Sequence, residues 1–160
     1  GAEAAGILAS LDILTELDVI CARAYLAHEQ HAVRPQMLLK GKVEIKQGRH
    51  PLLNKDSVVP LDVELCERFS MLLITGPNTG GKTVALKAVG LFALMAQSGM
   101  FIPASSAKLP VFRAVYADIG DEQSIEQNLS TFSSHLKNII KISKISIDKT
   151  KTLWYYIRAV

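Results

Sequence analysis

Cysteine is nearly absent from this chain, with two in 160 residues, Cys21 and Cys66, and no C-x-x-C pair. That excludes a disulfide framework and a thiolate metal site, both of which need closely spaced sets of cysteines. The two are expected to be reduced, buried thiols of a cytosolic protein. Strong charge of either sign is also missing, and a net charge of +3 does not by itself indicate a nucleic-acid or membrane partner. No apolar run reaches the ~18 residues a membrane span needs. The N-terminal GAEAAGILAS has neither the basic nor the apolar region of a secretory signal. Internal repeats and low-complexity segments are absent too. With 49% hydrophobic and 21% charged residues, the composition is neither disordered nor fibrous. These absences leave the expectation of a soluble, cytoplasmic chain forming one domain or a piece of one. Such a chain buries about two thirds of the surface its unfolded form exposes.

Several residues that could carry chemistry have a simpler reading. His28 and His31 flank Glu29 at the end of a helical stretch, but no third ligand accompanies them, so they read as a solvated helix end. Asp118, Asp121, Glu122 and Glu126 read as a polar loop rather than a cation site. His50 precedes Pro51 and reads as a buried turn residue. Trp154, Tyr155 and Tyr156 read as strand and core rather than a base-stacking platform. Lys137, Lys141, Lys144, Lys149, Lys151 and Arg158 face one acid, Asp148, over the same stretch. With no aromatics interleaved among the lysines they read as a solvated face and loop. No Ser-His-Asp or Cys-His set is present.

What the chain does contain is a clear alternation of elements. Residues 3 to about 31 read as one long helix, with Ile13, Leu17, Ile20, Ala24 and Ala27 recurring at helical spacing beside Leu14 and Cys21. It has no clear N-terminal cap, as if it began inside a longer element. KVEIKQ (42–47) alternates like a strand, GRHPLL turns at His50-Pro51, and Pro60 makes SVVPLDVEL an edge segment. SMLLIT (70–75) has buried-strand length. A glycine-rich loop follows, then a helix from about Gly81 to Gln97, stopped by Gly99 and Pro103. VFRAVYA (111–117) reads as a second strand, STFSSHLKNIIKI as a helix capped by Ser130, and TLWYYI (152–157) as a third strand. Strand, loop, helix, strand, helix, strand is an α/β parallel-sheet pattern.

The loop Gly76-Pro77-Asn78-Thr79-Gly80-Gly81-Lys82-Thr83 fits G-x-x-x-x-G-K-[ST], directly after a strand and opening a helix. Glycines allow successive N–H groups to aim at one oxyanion where a Cβ would intrude. The helix N-terminus adds partial positive charge. Lys82 supplies a full charge toward the β- and γ-phosphates, and the Thr83 hydroxyl can ligate Mg²⁺. Average residue usage makes a chance match well under about one in a hundred. The expected ligand is a nucleotide phosphate.

A P-loop alone fits kinases, GTPases, transporters and repair ATPases equally. Here GRHPLL, VVPLD, ITGPNTGGKT and ADIGDEQSIEQNLSTFSSH follow one another in an order and spacing that resembles the ATPase domain of the MutS family. The wording IGDEQSIEQ before STFSSH resembles its type-two branch, whose full-length members carry a C-terminal Smr nuclease domain. The resemblance runs from about residue 17 to 142. It implies an ABC-type P-loop NTPase fold preceded by a long helix. On that reading residues 1–35 end a connecting, lever-like region, and 36–142 form the N-terminal part of the ATPase domain, with the P-loop at 76–83 and a signature at 130–132. Residues 143–160 form an atypical tail.

The resemblance also implies roles. Gly76, Pro77, Asn78, Thr79, Gly80, Gly81, Lys82 and Thr83 would hold ATP or ADP with Mg²⁺. Ser130 would reach across a homodimer to the partner's γ-phosphate, besides capping its own helix. Val58 and Val59 would flank the adenine, with hydrophobic core as the alternative, and Leu61 stands where the family commonly has Asn. DNA would be bound by parts of a parent protein outside this chain, in repair or recombination control, with ribosome rescue a further role. Hydrolysis also needs a strand ending in acids that hold Mg²⁺ and orient water. The acids of VYADIGDE follow the strand VFRAVYA, whose apolar run Arg113 interrupts, and Ile119-Gly120 separates Asp121 and Glu122 from that strand. TLWYYIRAV, where the family would place Asp-Glu, has no carboxylate. The expectation is a chain that binds nucleotide and hydrolyses it poorly. Two alternatives stay open: a non-catalytic nucleotide-binding dimerisation module, and an unrelated P-loop kinase using Asp118 or Asp121.

Overall fold

The computed structural model describes residues 3–39, 41–66, 74, 81–112, 114–118, 136, 137, 140 and 155–158, with the backbone alone for 117, 118 and 155–158. Two helices and six strands lie among them: α1 (Ala4–Glu29), β1 (Gln36–Leu38), β2 (Val43–Gly48), β3 (Leu61–Leu65), α2 (Lys82–Gln97), β4 (Ser106–Pro110), β5 (Val115–Asp118) and β6 (Tyr155–Arg158). The class is α/β, as expected, but the larger sheet is mixed rather than parallel.

That sheet has the order β1-β4-β2-β3. β1 pairs parallel with β4, while β2 is antiparallel to both β4 and β3. β5 and β6 form a separate parallel pair, in register from Val115 with Tyr155 to Asp118 with Arg158. β3 is an edge, as the Pro60 segment suggested. Two strands went unread. SAKLP in β4 buries Ala107 and Leu109 on one face and leaves Lys108 half-exposed, the period-two signature of a half-buried strand. β1 is too short to show any period.

β2 alternates in the same way, with Val43 and Ile45 buried between half-buried Glu44 and Lys46. The apolar face of the sheet packs on α2, which buries Ala88, Val89, Phe92, Ala93, Met95 and Ala96. Ile45, Phe92, Ile102 and Leu109 are wholly buried; each such side chain contributes about 1.5–3 kcal/mol of transfer free energy. Near the end of β2 the ladder shifts register between Ile45 and Gly48, and Gln47 adopts a φ of 52°. The Gln47 N–H donates to Asp62 Oδ1 at 2.7 Å, which holds the Asp62 carboxyl below its ordinary range. At Gly48 an added Cβ would lie 2.8 Å from Ile45 Cγ2 and 2.9 Å from Phe92 Cε2. The bulge therefore brings backbone against the core at a point with no room for a side chain.

On the sheet's other face Glu44 stands opposite Glu64 on one side and Lys108 on the other. Lys42 bridges the two acids, 2.5 Å from Glu44 and 3.3 Å from Glu64, while Lys108 lies 3.4 Å from Glu44. The pairing offsets the repulsion of like charges placed directly opposite.

α2 is made mostly of Ala, Leu, Met, Val and Lys and ends in a complete Schellman motif. Gly99, at φ 73°, donates its N–H to the Ala96 carbonyl (3.1 Å), and Met100 donates to the Met95 carbonyl (2.9 Å). The Arg23 guanidinium of α1 lies beside Gly99. α1 itself has no buried residue. The helical spacing expected from Ile13 to Ala27 is there, but Leu8, Val19, Tyr25 and Leu26 also carry apolar surface to other sides, and all of them are exposed. This corrects the expectation for the cysteines. Cys21 is exposed, as is most of a helix with no buried residue, and Cys66 is half-buried; both are free thiols. No helix among the described residues is long and apolar enough to cross a membrane.

Candidate functional site

The glycine-rich loop meets the described residues at its last three positions. Gly81 caps α2 with φ 75° and ψ 11°, a left-handed conformation. Nothing lies within 4 Å of where its Cβ would be, so backbone conformation rather than crowding requires glycine here. The first internal hydrogen bond of α2 runs from the Ala85 N–H to the Gly81 carbonyl (2.9 Å). The N–H groups of Thr83 and Val84 therefore lie ahead of it, where helix geometry leaves donors for an outside acceptor. The first turn contains no acidic residue, so the helix itself sets no negative charge against an anion at this end. Lys82 and Thr83 are half-buried. Gly76, Pro77, Asn78, Thr79, Gly80 and Ser130 lie outside the described residues, as do Asp121, Glu122, Glu126 and Trp154.

The second part of the site is the loop joining β2 to β3. It folds as two successive turns. Leu53 donates its N–H to the His50 carbonyl (3.1 Å), and Leu52 donates to His50 Nδ1 (3.3 Å). Four residues on, Asp56 donates to Asn54 Oδ1 (2.9 Å) and Val58 donates to the Asn54 carbonyl (2.9 Å). This second bracket is an Asx-turn. His50 is half-buried, and desolvation together with the Lys87 charge lowers its pKa below the ordinary value. Two residues before it, Gly48 abuts Phe92 of α2. Val58 is half-buried and Val59 is 82% exposed, as is Leu52 at 81%. Val59 is therefore not core.

Asp118 is the last residue of β5 rather than a loop residue beyond it, and its register partner is Arg158. Tyr155 and Tyr156 lie on β6. His28 and His31 are exposed at the end of α1, and the described residues hold no group of three or more metal-ligating side chains. Asn54 was missed in the sequence, although an Asn three residues after Pro51 is a recognised turn signal.

The profile of MutS domain V matches residues 72–153, just over half of the chain. The chain belongs to the MutS family. Its relatives place it in the MutS2 branch. It is 59% identical over 139 residues to Endonuclease MutS2 of Lachnospira eligens, an alignment covering 86% of this chain and 18% of that protein. It is 54% identical over 141 residues to the Endonuclease MutS2 of Caldicellulosiruptor saccharolyticus, covering 88% and 18%. Against the Endonuclease MutS2 of Agathobacter rectalis it is 53% identical over 152 residues, covering 94% and 19%. The chain thus spans less than a fifth of the length of these curated relatives. The domain V match runs past Ile142, where the motif-by-motif resemblance stopped. MutS membership removes the unrelated P-loop kinase from consideration. The match includes α2, β4 and β5 and ends two residues before β6.

Proposed function

We propose that this chain is the ATP-binding part of a MutS-type DNA-repair ATPase of ABC-type P-loop fold. The observation that carries the reading is the left-handed Gly81 joined to an acid-free first turn of α2, directly ahead of Lys82 and Thr83. Gly76 to Thr83 hold the phosphates of ATP or ADP, Lys82 neutralises the terminal phosphates, and Thr83 presents its hydroxyl to Mg²⁺. Val58 and Val59 contact the adenine; the exposure of Val59, which has no packing role, supports this. Ser130 acts in trans on a partner subunit's nucleotide in a homodimer. DNA is engaged by parts of the parent protein beyond this chain, in the cytoplasm, and ribosome rescue is a further role of that parent.

β6 carries Tyr155, Tyr156, Ile157 and Arg158 and so brings no carboxylate beside β5. The chain accordingly binds nucleotide and turns it over poorly. Titration calorimetry of Mg-ATP into this chain and into Lys82→Ala tests the reading. Binding by the first and not the second is expected; equal affinity, or steady-state turnover above about 1 s⁻¹, would refute it.

A further inference from the structure

We propose that His50 is a positioning residue for the base-contact loop, holding through its Nδ1 the turn that delivers Val58 and Val59 to the nucleotide. The inference rests on the nucleotide reading and adds to it a residue and a proton.

The geometry is local and specific. His50 closes the first of the two turns twice, with its carbonyl on the Leu53 N–H and its Nδ1 on the Leu52 N–H. This side-chain bond to the backbone two residues on is the arrangement that Asn and Asp make in Asx-turns, and Asn54 repeats it on Asp56 in the second turn. The two brackets leave little freedom between the end of β2 and Val58, whose own N–H is tied to Asn54. A Glu29–Lys55 contact of 3.4 Å joins the middle of the loop to the end of α1.

Nδ1 can accept only while it is unprotonated. Burial and the Lys87 charge, contributed by α2, both favour the neutral ring, so the acceptor is available at neutral pH. Protonation turns Nδ1 into a donor facing the Leu52 N–H and places a second positive charge near Lys87. The loop should then release its grip while the phosphate site at Gly81 to Thr83 is untouched. ATP affinity and affinity for bare phosphates should therefore part company as the pH falls through the lowered His50 value.

The test compares Mg-ATP with inorganic tripolyphosphate, which has no base, on the intact chain, His50→Ala and His50→Asn. Loss of one hydrogen bond of this kind corresponds to about a three- to tenfold weaker Kd. We expect that loss for ATP and not for tripolyphosphate in His50→Ala. In His50→Asn, whose Oδ1 can accept from the same N–H, ATP affinity should return to within about twofold of the parent. The ratio of ATP to tripolyphosphate affinity should fall in the parent as the pH drops below the ordinary histidine value of 6.5 and stay flat in His50→Asn, where no ring remains to titrate. Should His50→Ala fail to fold, the two pH profiles decide the matter. Equal loss of both ligands, or no rescue by Asn, overturns the proposal. Equal affinity of the parent chain for the two ligands overturns it as well, while leaving the phosphate site standing. Binding of neither ligand overturns the nucleotide reading and this proposal together.

Discussion

Replacing Gly48 by Ala is the sharpest test of the packing between β2 and α2. The new Cβ would sit 2.8 Å from Ile45 Cγ2 and 2.9 Å from Phe92 Cε2, with the Leu61 carbonyl oxygen at 3.4 Å. Ordinary carbon–carbon contacts lie near ~3.5–4.0 Å, so each neighbour must retreat by roughly 0.6–1.2 Å. Neither has room, because both side chains are 0% exposed. Overpacking of this kind costs about 1–3 kcal/mol. The φ of Gly48 lies outside the left-handed region, so Ala is not strained there and recovers about 0.4–1 kcal/mol by restricting the unfolded chain. The net expectation is a destabilisation of about 1–2 kcal/mol, which for a domain of this size lowers Tm by roughly 2–8 °C. Urea denaturation should show a lower midpoint with an unchanged slope. A cycle with Phe92→Leu, which deletes the clashing ring atom, isolates the contact. The double variant should be more stable than the sum of the singles predicts, by about 0.5–3 kcal/mol. Strict additivity, or a Gly48→Ala protein with the parent's midpoint, would refute the steric argument.

Gly81 makes the opposite case, open space with a left-handed backbone. Gly81→Ala should cost about 1–2 kcal/mol and weaken Mg-ATP, with Gly81→Asn intermediate; thermal melts ranking Ala level with Gly would contradict this. Lys42→Met tests the charge ladder. Contacts with Lys42 and Lys108 lower the Glu44 pKa, so its contribution is fully present above the ordinary carboxylate value and is lost as pH falls through the lower folded one. The Lys42 pKa is raised, so its contribution persists below its ordinary value of 10.5 and is lost as pH rises through the higher folded one. Melting temperatures of parent and Lys42→Met should therefore differ at pH 7 and converge toward pH 3; a gap that is constant with pH would count against the ladder. Cys21 is exposed and Cys66 half-buried, so alkylation of the native chain should modify Cys21 first, and mass mapping of a brief reaction would detect the reverse order.

How much of this was legible depended on whether a segment's partners were close in sequence. α2 was legible to within a residue at its start because Gly81 and Gly99 punctuate it, and both take positive φ. β2 was legible from its own alternation. β1 and β4 were not, since each is defined by a pairing that joins residue 36 to residue 108; β1 is too short to show a period, and the alternation of β4 spans only five residues. Cys21 was misjudged for a related reason. Helical spacing identifies a face that wants cover, yet α1 is apolar on several sides and none of its residues is buried. At the site, the motif announced Lys82 and Thr83, whereas the His50 and Asn54 brackets depend on which N–H each side chain meets.

The place of β4 in the larger sheet bears on how the domain assembles in time. β4 lies between β1 and β2, so the sheet cannot close until residues 106–110 have been made and have returned to strands begun some sixty to seventy residues earlier. β2 and β3 can pair as soon as their connecting loop is complete, but α2 has only half a surface to cover until Leu109 and Ala107 arrive. Such non-local closure is intrinsically slow. During synthesis the order of events follows from this: the β2–β3 hairpin comes first, a loosely docked α2 waits, and insertion of β4 completes the core. A polypeptide stopped after α2 and before β4 would retain every residue of the glycine-rich loop, yet the platform that holds its helix would be missing a central strand.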